Sequence, residues 1–220
     1  VNFKCALDRE GVSMGLTFDY GQRAAEREMS AARAICQRYG VPHKRIDLAW
    51  LAEDSRAAVL KGRAPVPEPD AAQLDDAGGA AARSADAVWV PNRNGVFVNA
   101  AAAVAERMGI STVVVGFNAE EAATFPDNSS GFLDAANCAL RFSTRGAVSL
   151  ACYTIGMLKA DIVRLGLEIE APLDLVWPCY MDGPRMCGKC ESCMRFLRAA
   201  AAAGAVDRLR CSHPGMPLGA

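Results

Sequence analysis

Short runs of β-branched and apolar residues alternate along this chain with stretches whose apolar side chains recur every three or four positions. The first pattern suits a strand buried on both faces, and the second suits a helix with one apolar stripe. Residues 110–115 (ISTVVV), stopped by Gly116, are the clearest strand. Residues 12–18 (VSMGLTF), 43–48 (HKRIDL) and 147–152 are read as three more. Helices are expected over 22–39, where Ala25, Met29, Ala32, Cys36 and Tyr39 make one stripe ended by Gly40, and over 95–108 and 131–141. Two further helices are expected at 157–165, ended by Gly166, and at 191–203. This alternation predicts an α/β fold with a parallel, Rossmann-like sheet covered on both faces. Ligands of such sheets gather at the carboxyl ends of the strands, so the loops after Phe18, Leu48 and Val115 are where chemistry is sought.

Two stretches depart from the alternation. Residues 61–87 carry Pro65, Pro67, Pro69, Gly78 and Gly79 among Ala and Asp, and read as a long loop. Residues 1–11 (VNFKCALDREG) read as the body of a helix ending at Gly11, which creates the expectation that sequence precedes Val1. With 51% hydrophobic residues, a sizeable core can be buried. A formal net charge of −1 provides no basic field for nucleic acid, and no apolar run approaches membrane-spanning length. A cytoplasmic protein is expected, with no nucleic-acid or membrane partner.

Nine cysteines without a signal peptide argue against a secreted disulfide framework. Four of them, Cys179, Cys187, Cys190 and Cys193, have the spacing C-x7-C-x2-C-x2-C. Thiolates favour tetrahedral Zn²⁺, and short spacings let one chain wrap the ion. Four protein ligands leave no open position, so such a zinc would be structural. An iron–sulfur cluster or a redox pair is the competing reading. The expected organisation is an α/β domain over residues 1–166, with residues 167–220 as a zinc-binding segment packed on it.

Five motifs occur in order: residues 16–28 (LTFDYGQRAAERE), 90–103 (VPNRNGVFVNAAAA), 116–129 (GFNAEEAATFPDNS), 158–166 (LKADIVRLG) and 179–195 (CYMDGPRMCGKCESCMR). Together they resemble the successive motifs of the 7-cyano-7-deazaguanine synthase (QueC-like) family, which belongs to the adenine nucleotide alpha hydrolases. The family carries a Ser-Gly-Gly-x-Asp-Ser pyrophosphate loop after its first strand, which would lie just before Val1. A chain without that loop is expected to bind ATP poorly and to be inactive alone. The resemblance implies an ATP-dependent carbon–nitrogen ligase. Its carboxylate substrate, 7-carboxy-7-deazaguanine, is adenylated, aminated by ammonia to the amide, then activated again and dehydrated to the nitrile for queuosine or archaeosine synthesis. ATP would come with Mg²⁺, and a homodimer is suggested only by analogy. A non-catalytic deazapurine-binding module and a ligase joining a deazapurine to a protein amine are the alternatives.

The resemblance also suggests roles for individual residues, each beside a plainer one. Asp127 would pair with the N–H groups of a guanine-like edge, or else cap the helix near Gly131, with Asn128 and Ser129 as rivals. Phe125 would stack on the deazapurine. Many relatives carry Tyr there, and Cys where this chain has Asn128. Arg93 would neutralise the substrate carboxylate or the adenylate phosphate, with Asn94 beside it, or the pair would be a solvated residue and a helix cap. Glu121 and its neighbour Glu120 would orient ammonia or the base, or be solvated. Tyr20, Gln22 and Arg23 would face the nucleotide, or form a surface turn. Lys159 would contact phosphate, or share a solvated helix face with Asp161. His43 and His213 are given no role and no plausible partner.

Overall fold

Nine helices and four strands order the chain among its described residues, which in this computed structural model are 1–76, 78–210 and 213. Helix α1 (Asn2–Arg9) is followed by strand β1 (Gly15–Asp19), helix α2 (Ala25–Arg38) and strand β2 (His43–Asp47). Helices α3 (Ala80–Val88) and α4 (Arg93–Arg107) lead to strand β3 (Thr112–Val114). One-turn helix α5 (Ala119–Ala122), helix α6 (Ser130–Ser143), strand β4 (Ser149–Ala151), and helices α7 (Lys159–Glu168), α8 (Glu191–Ala202) and α9 (Val206–Arg210) complete it. The chain is a mixed α/β protein divided into two compact units. One comprises Val1–Ser13 and Asn92–Leu158, the other Met14–Pro91 and Lys159–Ala220.

In the second unit, β1 pairs parallel with β2 from Gly15↔His43 to Asp19↔Asp47, so α2 is the crossover. Gly15 makes the packing possible: a Cβ there would stand 2.5 Å from Cys36 Sγ on α2. Met29 and Cys36 bury the apolar stripe of α2, and Gly40, at φ +65°, lets the chain turn back toward β2. Helix α8 packs on α7 and α9, burying Cys193, Leu197 and Ala200. Its Arg195 is buried with Glu191 at 2.9 Å and donates to Leu74 O at 2.9 Å.

In the first unit, β3 pairs parallel with β4 from Thr112↔Ser149 to Val114↔Ala151, across α6. Val98, Ala102 and Ala105 of α4, Leu140 of α6, Leu150 of β4, and Phe117 and Val148 make one buried cluster. Asn137 of α6 reaches the backbone of β4. Its amide donates to Leu150 O at 3.2 Å and its oxygen accepts from Leu150 N–H at 2.7 Å. That contact satisfies backbone groups of a strand whose only described partner is β3.

Three readings of the sequence need correction. Residues 61–87 are not loop throughout: a 3₁₀ turn over Ala72–Asp75 and helix α3 lie within or across them. The prolines are confined to 65–69, and the alanine-rich run beyond Gly79 is free to form a helix. Gly166 does not end α7. It is buried inside that helix, which runs on to Glu168. Both histidines have partners. His43 Nε2 stands 2.8 Å from Thr17 Oγ1 across the β1–β2 pair, while the buried His213 ring lies between Leu209 O at 3.0 Å and Val176 O at 2.9 Å. Thr17 and Val176 are brought to the two rings by long-range pairing, which no local pattern encodes.

Candidate active site and metal centre

The loop leaving β3 is built around two helix caps. Asn118 is buried, and its side-chain oxygen accepts from Glu121 N–H at 3.0 Å, capping α5. Its amide donates to Glu121 Oε2 at 3.1 Å, which holds that carboxylate in place. The spacing Asn-x-x-Glu is a recognisable capping signal, and it went unused in the sequence reading. Ser129 caps α6 by accepting from Phe132 N–H at 3.1 Å, and its hydroxyl donates to Pro126 O at 2.7 Å. The contest for that cap is therefore settled in favour of Ser129, and Asp127 is free of capping duty.

Asp127 sits in the 3₁₀ turn Pro126–Asn128. Partial burial pushes its carboxyl above the ordinary 3.8. The Arg93 guanidinium, a hydrogen bond from Asn128 and its own backbone N–H pull the other way, and Glu121 adds a smaller upward push. Asn128 Nδ2 donates to Asp127 Oδ1 at 3.2 Å, and Asn94 Nδ2 reaches Asp127 O at 3.4 Å. Arg93, Asn94, Glu121 and Asp127 are thus brought together within one unit. Asn94 is not the cap of α4. That position is Asn92, in the left-handed region at φ 54°. A non-glycine residue held there is a local strain of a kind concentrated at functional sites. Phe125 is 9% exposed, with its ring turned mostly into the protein.

The loop after β1 belongs to the other unit. Tyr20 is buried, and its N–H donates to Gln22 Oε1 at 2.9 Å. Gln22, 2% exposed, donates to Phe18 O at 3.0 Å and Glu28 Oε2 at 2.8 Å. Arg23 donates through Nε to Ala58 O at 2.8 Å and through Nη2 to Arg63 O and Ala64 O at 2.8 and 2.9 Å. Gln22 and Arg23 therefore shape the loop and hold the segment beyond β2 against it. Lys159 opens α7 and is half-buried. Asp161, on the same helix, pairs with Arg164 at 2.7 Å.

The four clustered cysteines converge. The sulfurs of Cys179, Cys187, Cys190 and Cys193 lie within 4.8 Å of one another, and three of the residues are buried. Cys187 Sγ and Cys193 Sγ are 3.8 Å apart. This matches the edge of about 3.8 Å expected for a tetrahedron of thiolates bonded at about 2.3 Å to one ion. Backbone N–H groups of Met181 and Cys187 point at Cys179 Sγ, both at 3.3 Å. The thiols of Cys190 and Cys193 hold the Cys179 thiol well below its ordinary range, with those N–H groups assisting. Its hydrogen bond with Cys179 pushes Cys190 up to about 12, and Cys193 is raised by its bonds to Cys179 and Cys190. The donor set and its spacing fit a single metal ion.

The family profile described as "Queuosine biosynthesis protein QueC" matches residues 5–204. The chain belongs to the QueC family. Among similar proteins, the 7-cyano-7-deazaguanine synthase of Pelotomaculum thermopropionicum is 48% identical over 204 residues, 93% of this chain and 92% of the relative. That of Bdellovibrio bacteriovorus is 47% identical over 192 residues, 87% and 83% respectively. That of the archaeon Methanosarcina mazei is 42% identical over 200 residues, 90% and 87%. The QueC match spans both units, the cysteine cluster and the Arg93–Asp127 constellation alike.

Proposed function

We propose that this QueC-family chain acts as a 7-cyano-7-deazaguanine synthase, an ATP-dependent carbon–nitrogen ligase serving queuosine or archaeosine precursor synthesis. The observation that carries the reading is the near-complete coverage of relatives bearing that name. A carboxylate is a poor electrophile. Adenylation of 7-carboxy-7-deazaguanine releases pyrophosphate and installs AMP as a leaving group, which ammonia displaces to give the amide and a proton. A second ATP activates the amide oxygen in the same way. Loss of AMP, which carries off the amide oxygen, and of both amide N–H protons then leaves the nitrile.

Asp127 is assigned to the base edge, where its two oxygens accept two N–H bonds, and Phe125 to the wall beside the ring. Glu121 orients ammonia or the base. Arg93 acts on the carboxylate or the adenylate phosphate. Asn94, through Asp127 O, helps set the loop. Lys159 and the loop of Tyr20, Gln22 and Arg23 are assigned to MgATP, with Gln22 and Arg23 shaping that loop rather than reaching out. The frame is proposed to be Rossmann-like, of the adenine nucleotide alpha hydrolase kind, which the parallel β–α–β pairings support. For the cysteine site we favour structural zinc, which would pin the α8 segment. Sulfurs this close suit one ion better than a cluster whose thiolates stand on separate irons. A cytoplasmic homodimer completes the reading; among the described residues no helix is long and apolar enough to cross a membrane. The test incubates the full-length protein with the acid, ammonia and MgATP. AMP release with appearance of the nitrile by mass spectrometry is expected. Absence of AMP release, with the substrate carboxylate intact, overturns the assignment.

A further inference from the structure

The buried hydroxyl of Thr154 is the hinge point of a relay that none of the assignments above uses. Thr154 is 0% exposed and follows strand β4. Its Oγ1 donates to Phe117 O at 2.7 Å and accepts from Asn2 Nδ2 at 2.7 Å. The other end of the Asn2 side chain accepts from Tyr153 N–H at 2.7 Å. Asn2 thus spends both polar atoms on two consecutive residues of one loop, and Thr154 passes the restraint to the next loop. Phe117 O also receives the Cys152 thiol at 3.2 Å. Immediately after it comes Asn118, whose side chain caps α5 and holds Glu121. Two more bonds stiffen the same join: Met157 N–H to Thr154 O and Ala119 N–H to Met157 O, both at 3.0 Å. At the end of α1, the Arg9 guanidinium lies over the Tyr153 ring at 4.6 Å, and Glu10, just beyond the helix, accepts from Tyr153 Oη at 3.3 Å.

We infer that Asn2 and Thr154 are positioning residues that fix the Phe117 carbonyl and, through Asn118, set the Glu121 carboxylate for the base. A side chain at the first turn of α1 is thereby wired to the loop that follows β3. The reason for asparagine is chemical: one side chain must both donate to a hydroxyl and accept from an N–H. The reason for threonine is that one buried oxygen must accept and donate at once. A valine of the same shape leaves Phe117 O without that donor, and Asn2 Nδ2 without its acceptor.

The inference rests on the synthase reading for its substrate, so two readouts separate their fates. Amide exchange at Ala119 and Glu121, measured on the full chain, reads the relay whatever the substrate is. Steady-state kinetics reads its use. Thr154→Val and Asn2→Ala should speed exchange at those two amides at least tenfold. They should raise KM for the deazapurine acid about tenfold, with KM for ATP changing less than twofold. Thr154→Ser restores the hydroxyl and should return both readouts to wild-type values even if Thr154→Val lowers the melting temperature. Unchanged exchange in both variants overturns the inference. So does a rise in both KM values together that Thr154→Ser fails to rescue. Faster exchange in an enzyme whose wild type never consumes the acid would sink the synthase reading and leave the positioning role standing.

Discussion

Replacing Asp127 with asparagine separates recognition from folding more cleanly than any other single change. In the proposed pose each carboxylate oxygen accepts one N–H from a guanine-like edge, and a hydrogen bond to a charged group contributes roughly 1.5–3 kcal/mol. Asparagine keeps one acceptor and turns an NH₂ toward the other N–H. One charge-assisted bond is lost and the remaining one is weakened, a total of about 3 kcal/mol or roughly 100-fold in Kd. Folding should hardly notice. Ser129, not Asp127, caps α6. The Asp127 carboxyl is pushed above 3.8, chiefly by burial. A carboxyl whose folded pKa lies above its unfolded one lowers stability as pH rises between the two, and that deficit persists at neutral pH. Asparagine removes the deficit, so the melting temperature should hold or rise slightly. By contrast, Ser129→Ala should cost about 1 kcal/mol of stability through loss of the cap. Calorimetric titration with the deazapurine acid, beside a thermal melt, is the assay. Wild-type affinity in Asp127→Asn would refute the base-recognition role. A drop in melting temperature as large as that of Ser129→Ala would refute the claim that Asp127 is free of capping duty.

Two other changes test the Arg93–Asp127 pair and the cysteine cluster. Arg93→Ala removes the charge that holds the Asp127 carboxyl down, so acid-side loss of substrate binding should begin at higher pH than in wild type. A pH series of Kd values reads the shift, and a shift to lower pH contradicts the proximity of the two groups. Cys193→Ser should cut bound metal from about one ion per chain to near zero and lower the melting temperature. Cys138→Ser, on an exposed cysteine outside the cluster, should leave both unchanged, and elemental analysis by mass spectrometry decides it.

Much of this protein could be read from its sequence because the relevant signals are local. The C-x7-C-x2-C-x2-C spacing is covalent geometry: ligands a few residues apart can close on one ion wherever the segment lies. The stripe of α2, with Gly40 behind it, follows from helical periodicity, and the observed helix Ala25–Arg38 differs from the expected span only at its ends. Residues 72–75 and 80–88 were harder. Prolines and paired glycines dominated the composition there, and helix formation in the alanine run also depends on burial of Ala81, Ala85 and Val88.

What the tertiary structure decided are the meetings of residues far apart in the chain. Arg93 acts on Asp127 from 34 positions away, and Asn2 reaches Thr154 across 152. Gln22 and Arg23 read as candidates for the nucleotide because they follow a strand end. Only the fold shows that most of their polar atoms are engaged with Phe18, Glu28, Ala58 and residues 63–64. Periodicity and spacing record how a segment bends on itself. The partner of a buried polar atom is set by which segments pack together, and that depends on the whole apolar core at once.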